Sequence, residues 1–493
     1  MPKVKSCISH NLKNLVNDFG SDIFSTDGEI LFCKICGTKV AAEKRFTVQQ
    51  HITRQKHIRG LDQMNSKKQR LLQLEPEVIC NFSAELCEAL ISANIPLRKL
   101  MNTKFKSFLE VYTGKIIPDE STLRKNYVKV CYEKTMERIR VAICECKIWV
   151  SIDSTIDVEG RHIANVIIGT LQFDSKSTIF LLNSEELETS NHSTICKLFD
   201  KSMHLLWPHG VHHDNVLLFL TDAAPYMIKA GNGIKCLYTK MVHVTCMAHG
   251  LHRVAEEIRS NYPNVDLLVS SLKKVFRKSP ARIQQFKALA PHLSLPPQPI
   301  LTRWGTWLNA VDYCCCNFEI LHYVVMNLND DESNCVKVAK GCLSSNNIQN
   351  DLAYIKSSFG FLPDIILKLE QRGQTLNYYL NLLDSVDESL KCNAGNIGQI
   401  IYSKYIKVVN KNIGLRNINI IRNILSGVSD NLTNLDYDLN QSDMCHFKYA
   451  PITSVDVERS FSRYKNVLTN NRRSFVFHNI RMILMVYCNN AED

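Results

Sequence analysis

Two sets of residues in this chain have the types and the placement that chemistry needs. The first begins in KIWVSIDSTID, residues 147–157, where an apolar run, Ile148, Trp149, Val150 and Ile152, ends in Asp153 and Asp157. The run has the length and β-rich composition of a buried strand, which puts Asp153 at its end. A carboxylate is costly to bury unpaired, so an Asp in that position takes a partner, often a metal ion. A further strand, Asn215 to Leu220, leads into Thr221 and Asp222 in the same way. Glu458 lies in TSVDVERSFSRYKNVL, residues 453–468, beside the apolar stripe of Val457, Phe461, Tyr464 and Leu468. If the two strands are neighbours, Asp153 and Asp222 meet at one end of a sheet. Two strand-end aspartates and a helix-borne glutamate suit a two-metal site. There Mg2+ or Mn2+ activates an attacking oxygen and stabilises a leaving one in phosphodiester chemistry. Taken singly, each has a plainer reading, as a polar strand end or a solvated helix residue.

The second set is Cys33, Cys36, His51 and His57, in the spacing C-x2-C-x14-H-x5-H. Two thiolates from one tight turn and two imidazoles make a complete tetrahedral set for Zn2+. A segment this short buries little core, so the metal would supply its folding free energy. Arg45 to His57 reads as one helix carrying both histidines. Residues 39–70 hold nine Lys and Arg against two acids, a net of seven of the chain's +11. Such a cluster is the footprint of a polyanion, most often nucleic acid. Arg45, Arg54, Lys56, Arg59, Lys67, Lys68 and Arg70 are the candidate contacts to double-stranded DNA. Asn65 to Arg70 reads as a nuclear-import signal or a solvated linker.

Around these sets the elements fall in blocks. Residues 1–75 are the finger and its basic tail, and 76–146 a helical unit for DNA binding or linkage. In that unit Ser83, Ser121 and Thr122 are N-cap candidates. Residues 147–261 hold strands at 147–153, 162–172, 177–184, 215–220 and 241–246. Helices lie at 193–206, at 223–230 (stopped by Gly231-Asn232-Gly233) and at 247–260. The order βββαβαβα predicts a mixed sheet with helices on its faces. Residues 262–440 are helical, with long spans at 268–286, 311–328, 362–390 and 400–424 and loops at 291–299, 343–350 and 427–443. The last block, 441–493, carries the Glu458 helix, with Thr453 and Asp456 as a capping pair, and a final helix at 478–488. The fold class is thus α/β plus all-α. The 19 cysteines lack framework spacing and read as free thiols. No apolar run reaches the roughly 20 residues of a membrane span, and no signal-peptide core precedes the finger, so the expectation is a soluble intracellular protein.

The ordered motifs resemble hAT-type DNA transposases and proteins derived from them, over nearly the whole length. They are a BED-like finger at Cys33, Cys36, His51 and His57, SIDSTID with Asp153, TDAAPYM with Asp222, CMAH at Cys246–His249, TRW at Thr302–Trp304 and VERSFSRYKN with Glu458. The resemblance implies an RNase H-like core interrupted by a helical insertion. It implies a complete DDE site in which Asp153, Asp222 and Glu458 hold Mg2+ or Mn2+. It also implies that Trp304, next to Arg303, stacks on an extruded base, that Cys246 and His249 shape the site, and that residues 453–490 form a dimerisation segment for a homo-oligomer. Read alone, Trp304 is as good a packing anchor, and Cys246 and His249 a packed pair. The N-terminal part also resembles the CGG triplet repeat-binding protein, through GEILFCKIC at 28–36, SKKQR at 66–70 and ISANIPLRKL at 91–100. Two functions follow as expectations: a nuclear transposase that cleaves and transfers DNA strands, or a domesticated, catalytically silent transcription regulator.

Overall fold

The computed structural model describes residues 8–61, 81–277, 279–300, 305–329, 333–428, 437–468 and 476–490. The chain divides into two units, Met1–Phe82 and Ser83–Asp493.

The first unit opens on helix α1 (Ile8–Phe19) and continues into three short strands, β1 (Phe24–Thr26), β2 (Leu31–Cys33) and β3 (Thr38–Val40), then helix α2 (Arg45–Ile52). The strands form an antiparallel meander in the order β1-β2-β3. Asp27 makes the first turn, its Oδ1 accepting the amides of Glu29 and Ile30 at 2.9 Å. Leu12, Leu15, Phe24, Leu31, Val40 and Val48 bury around Cys33. A core this small needs reinforcement. The histidine helix is broken: α2 ends at Ile52, Thr53 and Arg54 turn, and helix resumes over 55–61. Lys67, Lys68 and Arg70 lie outside the described residues, as do Arg303 and Trp304.

The second unit opens within α3 (Asn81–Ser92) and continues with α4 (Thr103–Thr113) and α5 (Val128–Ile143), the last entered through a π segment, Leu123–Tyr127. Ser83, Ser121 and Thr122 stand inside helices, so none is a cap. The sheet follows: β4 (Lys147–Ile156), β5 (His162–Leu171), β6 (Ile179–Leu187), helix α6 (His192–Leu206), β7 (Val216–Thr221), helix α7 (Pro225–Lys235), β8 (Val242–Thr245) and helix α8 (Met247–Asn261). Its order is β6-β5-β4-β7-β8. β4, β5 and β6 are antiparallel, while β7 and β8 run parallel to β4. Both faces are covered, which is why β5 reads as a nearly unbroken apolar run. Two asparagines identify what covers them. Asn165 Nδ2 on β5 donates to Ser460 Oγ at 2.8 Å, and Asn183 Nδ2 on β6 donates to Ser202 Oγ on α6 at 3.1 Å. Asn183 pairs with Val166, the neighbour of Asn165, so the two side chains leave opposite faces.

Between α8 and the Glu458 helix lie the helices of the expected insertion, in more pieces than the sequence suggested. The span 268–286 divides at Pro280, 311–328 at Asn317, and 362–390 around Gly373. The span 400–424 divides into α9 (Gly395–Lys411) and α10 (Ile413–Leu425) at Asn412. That break is tertiary in origin: buried Asn412 takes the Thr245 amide on Oδ1 at 3.1 Å and gives Nδ2 to the Thr245 carbonyl at 2.7 Å, docking the helices on β8. The predicted stop at Gly231–Gly233 does not occur, and α7 runs through it. A Cβ on Gly231 would stand 2.3 Å from His243 Nδ1, so that glycine serves packing.

The chain closes with α11 (Val455–Val467), which packs on β4 and β5, and α12 (Phe477–Asn490), which packs on β6 and α5. Ser454 stands at the N-cap of α11 without a side-chain cap bond, while Thr453 Oγ1 reaches the Leu369 carbonyl, so the expected capping pair is absent. Val457, Phe461, Tyr464, Ile480, Leu484, Met485 and Val486 are buried within the chain. The apolar faces assigned to self-association are therefore already covered. The described cysteines are free thiols. Among the described residues no helix is long and apolar enough to cross a membrane.

Candidate functional site

In the first unit, β2 delivers Cys33 and a knuckle returns Cys36 to it. The Cys36 amide donates to Cys33 Sγ at 3.4 Å and the Gly37 amide to the Cys33 carbonyl at 2.9 Å. Gly37 sits at φ +65°, a conformation that glycine adopts without a Cβ clash. α2 supplies His51 and the helical segment beyond the break supplies His57. The ligand atoms of Cys33, Cys36, His51 and His57 lie within 4.8 Å of one another. His57 Nδ1 is 3.4 Å from both sulfurs. His51 Nε2 is buried with no hydrogen-bond partner among the described residues. Burial lowers the pKa of both imidazoles, which keeps their lone pairs open for a metal. Two sulfurs and two neutral imidazoles fit tetrahedral Zn2+. Arg54, Lys56 and Arg59 project into solvent around this cluster. Arg45 is engaged within the unit, 2.7 Å from Asp18 and over the Phe19 ring.

In the second unit, β4 passes through Asp153 to Ile156 rather than ending there. What ends is its pairing with β7, whose last partners are Ser151 and Leu220. β7 stops at Thr221, so Asp222 leaves the sheet beside the point where β4 loses that neighbour. The anticipated adjacency of the two strands is real. Asp153 pairs with Asn165 across β5, and cross-strand partners share a face. Asn165 holds Ser460 of α11, so Asp153 faces the helix that carries Glu458. Asp153 Oδ1 accepts the Ser154 amide at 2.7 Å, and Asp222 Oδ1 accepts the Ala224 amide at 3.1 Å. Glu458 Oε1 lies 3.5 Å from His249 Nε2.

These groups act on one another electrostatically. Burial, then the charge of Asp222, pushes Asp153 up to about 7; Glu458 adds to the rise and His249 opposes it. Burial works against a charged His249, yet Cys246, Glu458 and Asp153 outweigh it and push the imidazole up to about 10. His249 is thus the cation among the carboxylates. Cys246 is the joint of the site. Its amide donates to the Thr221 carbonyl at 2.8 Å, and its sulfur accepts the Ser454 amide at 3.2 Å. The end of β7, the start of α8 and the start of α11 are tied together there.

Among the described residues, the finger is the one group of at least three Cys, His, Asp or Glu gathered tightly enough to hold an ion as it stands. Asp153, Asp222 and Glu458 stand further apart. Three like charges repel, and ligands of two ions about 4 Å apart spread over both coordination spheres. The donor set itself, hard carboxylate oxygens, fits Mg2+ or Mn2+. Asp157, the other acid of SIDSTID, has a structural post: Arg161 Nε at 2.8 Å and Tyr464 Oη at 2.9 Å donate to its Oδ2.

Two residues were missed. Tyr226 has its phenol raised by burial and then, against a bond to Ser154, by Asp222 and Asp153. Its signal was its place one turn past Asp222 in TDAAPYM. Asn165 was signalled by its polarity within an apolar strand, since a buried amide needs a partner.

Two family profiles match the chain. Residues 118–279 match a domain of unknown function (DUF659), one found in hAT-family transposase-like proteins, and residues 5–62 match the CGGBP1 N-terminal domain. No curated protein matches.

Proposed function

We propose that this chain is a nuclear DNA-binding protein of hAT-transposase descent, whose zinc finger holds double-stranded DNA and whose carboxylate site cuts a phosphodiester bond. One observation carries the reading. Asp153 sits where β4 parts from β7, and the charges of Asp222 and Glu458, residues up to 305 positions away in sequence, both act on it. The sheet order, three antiparallel strands followed by two parallel ones, supports an RNase H-like core. The two matched profiles, one over the finger and one over the sheet, support the descent.

In this reading Asp153, Asp222 and Glu458 hold Mg2+ or Mn2+, which supplies Lewis-acid activation of the attacking and leaving oxygens. Asp153 gives up its proton to become a ligand. His249 holds Glu458 in place, and Cys246 holds the start of α11. Arg54, Lys56 and Arg59 meet DNA phosphates, and Zn2+ orders the segment that carries them. Trp304 and Arg303 remain candidates for an extruded base.

The test is divalent-dependent nicking of DNA carrying the element's own ends. Wild type should cut. Asp153→Asn, Asp222→Asn and Glu458→Gln should each lose about 10²–10³-fold or more, the scale of removing a main electrostatic contributor, while finger-dependent binding survives. A second reading, a domesticated regulator that binds without cutting, is favoured by the CGGBP1 N-terminal match and by the spacing of the three carboxylates. Intact binding with no nicking by wild type would select it.

A further inference from the structure

A cavity of about 650 Å³ opens beside the carboxylate site, lined by Ala223 and Cys246 on one side and by Arg253, Lys404, Lys407 and Lys411 on another. Arg253 comes from α8 and the lysines from α9. Lys404, Lys407 and Lys411 repeat at i, i+3 and i+7, so they form one stripe on one helix face. Residues 395–425, spanning α9 and α10, contain five Lys and Arg and no Asp or Glu. Lys404 is half-buried and bonded to Glu257 of α8 at 2.9 Å, which seats α9 on α8. Arg253, Lys407 and Lys411 are exposed and have no acidic partner among the described residues. Like charges on one helix face destabilise it unless an anion lies against them. Lys407 and Lys411 stand about 6 Å apart along the helix axis, close to the separation of neighbouring phosphates on an extended strand.

We infer that this groove holds the phosphodiester backbone of a single DNA strand and leads it to Asp222. The inference rests on the proposed function, and it assigns a substrate track in the second unit, separate from the finger. Ala223 lines the groove directly after Asp222, so a strand lying on Arg253, Lys407 and Lys411 is led toward Asp222.

The test uses the full chain with the finger disabled by Cys36→Ser and His57→Ala, and a fluorescein-labelled single-stranded DNA of mixed sequence. Affinity is measured across salt concentrations. Adding R253Q, K407Q and K411Q should make the slope of log K against log salt shallower by about 2, since each single-strand phosphate contact contributes roughly −0.7. R253K, K407R and K411R together should leave the slope unchanged, showing that charge rather than folding is lost. An unchanged slope in the glutamine variant overturns the inference. So does displacement of the strand by equimolar polyglutamate, which would make the groove a seat for an acidic protein. The two failures are separable. Loss of the groove leaves Mn2+ binding by Asp153, Asp222 and Glu458 intact, and loss of the carboxylate reading leaves the salt slope intact.

Discussion

The finger and the carboxylate site are two clusters of metal-ligand chemistry built in opposite ways. The finger draws its ligands from 25 consecutive positions and packs them within 4.8 Å of each other. The carboxylate site draws on residues up to 305 positions apart and leaves them spread. The difference follows from charge. Neutral thiols and imidazoles made neutral by burial can touch without an ion. Carboxylates cannot, and here the raised imidazolium of His249 and the raised proton affinity of Asp153 ease the repulsion. An ion bound in the finger would supply folding free energy that its small core lacks. The carboxylate site rests on a sheet and helices with a core of their own, so an ion there would add chemistry instead.

That contrast is sharpest under chelation, where the largest effect is expected. Structural Zn2+ sites contribute about 10–16 kcal/mol of binding free energy, and folding depends on it. Treating the full chain with a zinc chelator should open residues 8–61 to protease while Ser83–Asp493 stays protected. Equal loss in both units would dissolve the distinction.

Asn165→Ala should have a smaller effect, confined to the second unit. It removes the bond that fixes α11 to β5, at about 0.5–1.5 kcal/mol, since Ser460 Oγ keeps its bond to the Val457 carbonyl. The urea midpoint should fall. Mn2+ affinity should fall about 10–100-fold, the usual cost of losing a group that orients a ligand. Lost stability with unchanged Mn2+ affinity would mean that α11 needs no such anchor.

A third effect is electrostatic and appears only with pH. Asp153 holds its proton more tightly in the folded chain, near 7, than in the unfolded chain, near 3.9. Its contribution to stability is therefore full below pH 4 and is lost as pH rises through 7. Without divalent ions, Asp153→Asn should melt a few degrees higher than wild type at pH 8, and the gap should close toward pH 4. A variant that melts lower at pH 8 would show Asp153 to be paired rather than strained.

The same contrast marks what the sequence could tell. The finger was legible because its ligands are local, and spacing alone gathers Cys33, Cys36, His51 and His57. What spacing could not reveal was the break at Thr53–Arg54, which turns His57 back toward the cysteines. The five strands of the sheet were legible from their apolar runs, and bringing Asp153 near Asp222 depended on the adjacency of β4 and β7. Helix limits were misread wherever a tertiary contact sets them. Gly231 reads as a stop but makes room for His243, and Asn412 looks like any surface asparagine until β8 lies beside it. The apolar stripes of α11 and α12 signalled burial correctly but did not say against what, and the covering surface lies in the same chain. The basic groove was invisible because Arg253 and the α9 lysines are about 150 positions apart.

The claim that Asp153, Asp222 and Glu458 form one divalent-ion site can be tested without cleavage. Mn2+ bound per chain is counted by electron paramagnetic resonance at pH 8, where Asp153 is ionised, with the finger saturated by Zn2+. Wild type should bind one or two Mn2+ tightly, and Asp153→Asn, Asp222→Asn and Glu458→Gln should each lose this binding while the zinc content stays at one per chain. Tight Mn2+ binding that survives Glu458→Gln would contradict the shared site and leave the glutamate as a partner of His249 alone.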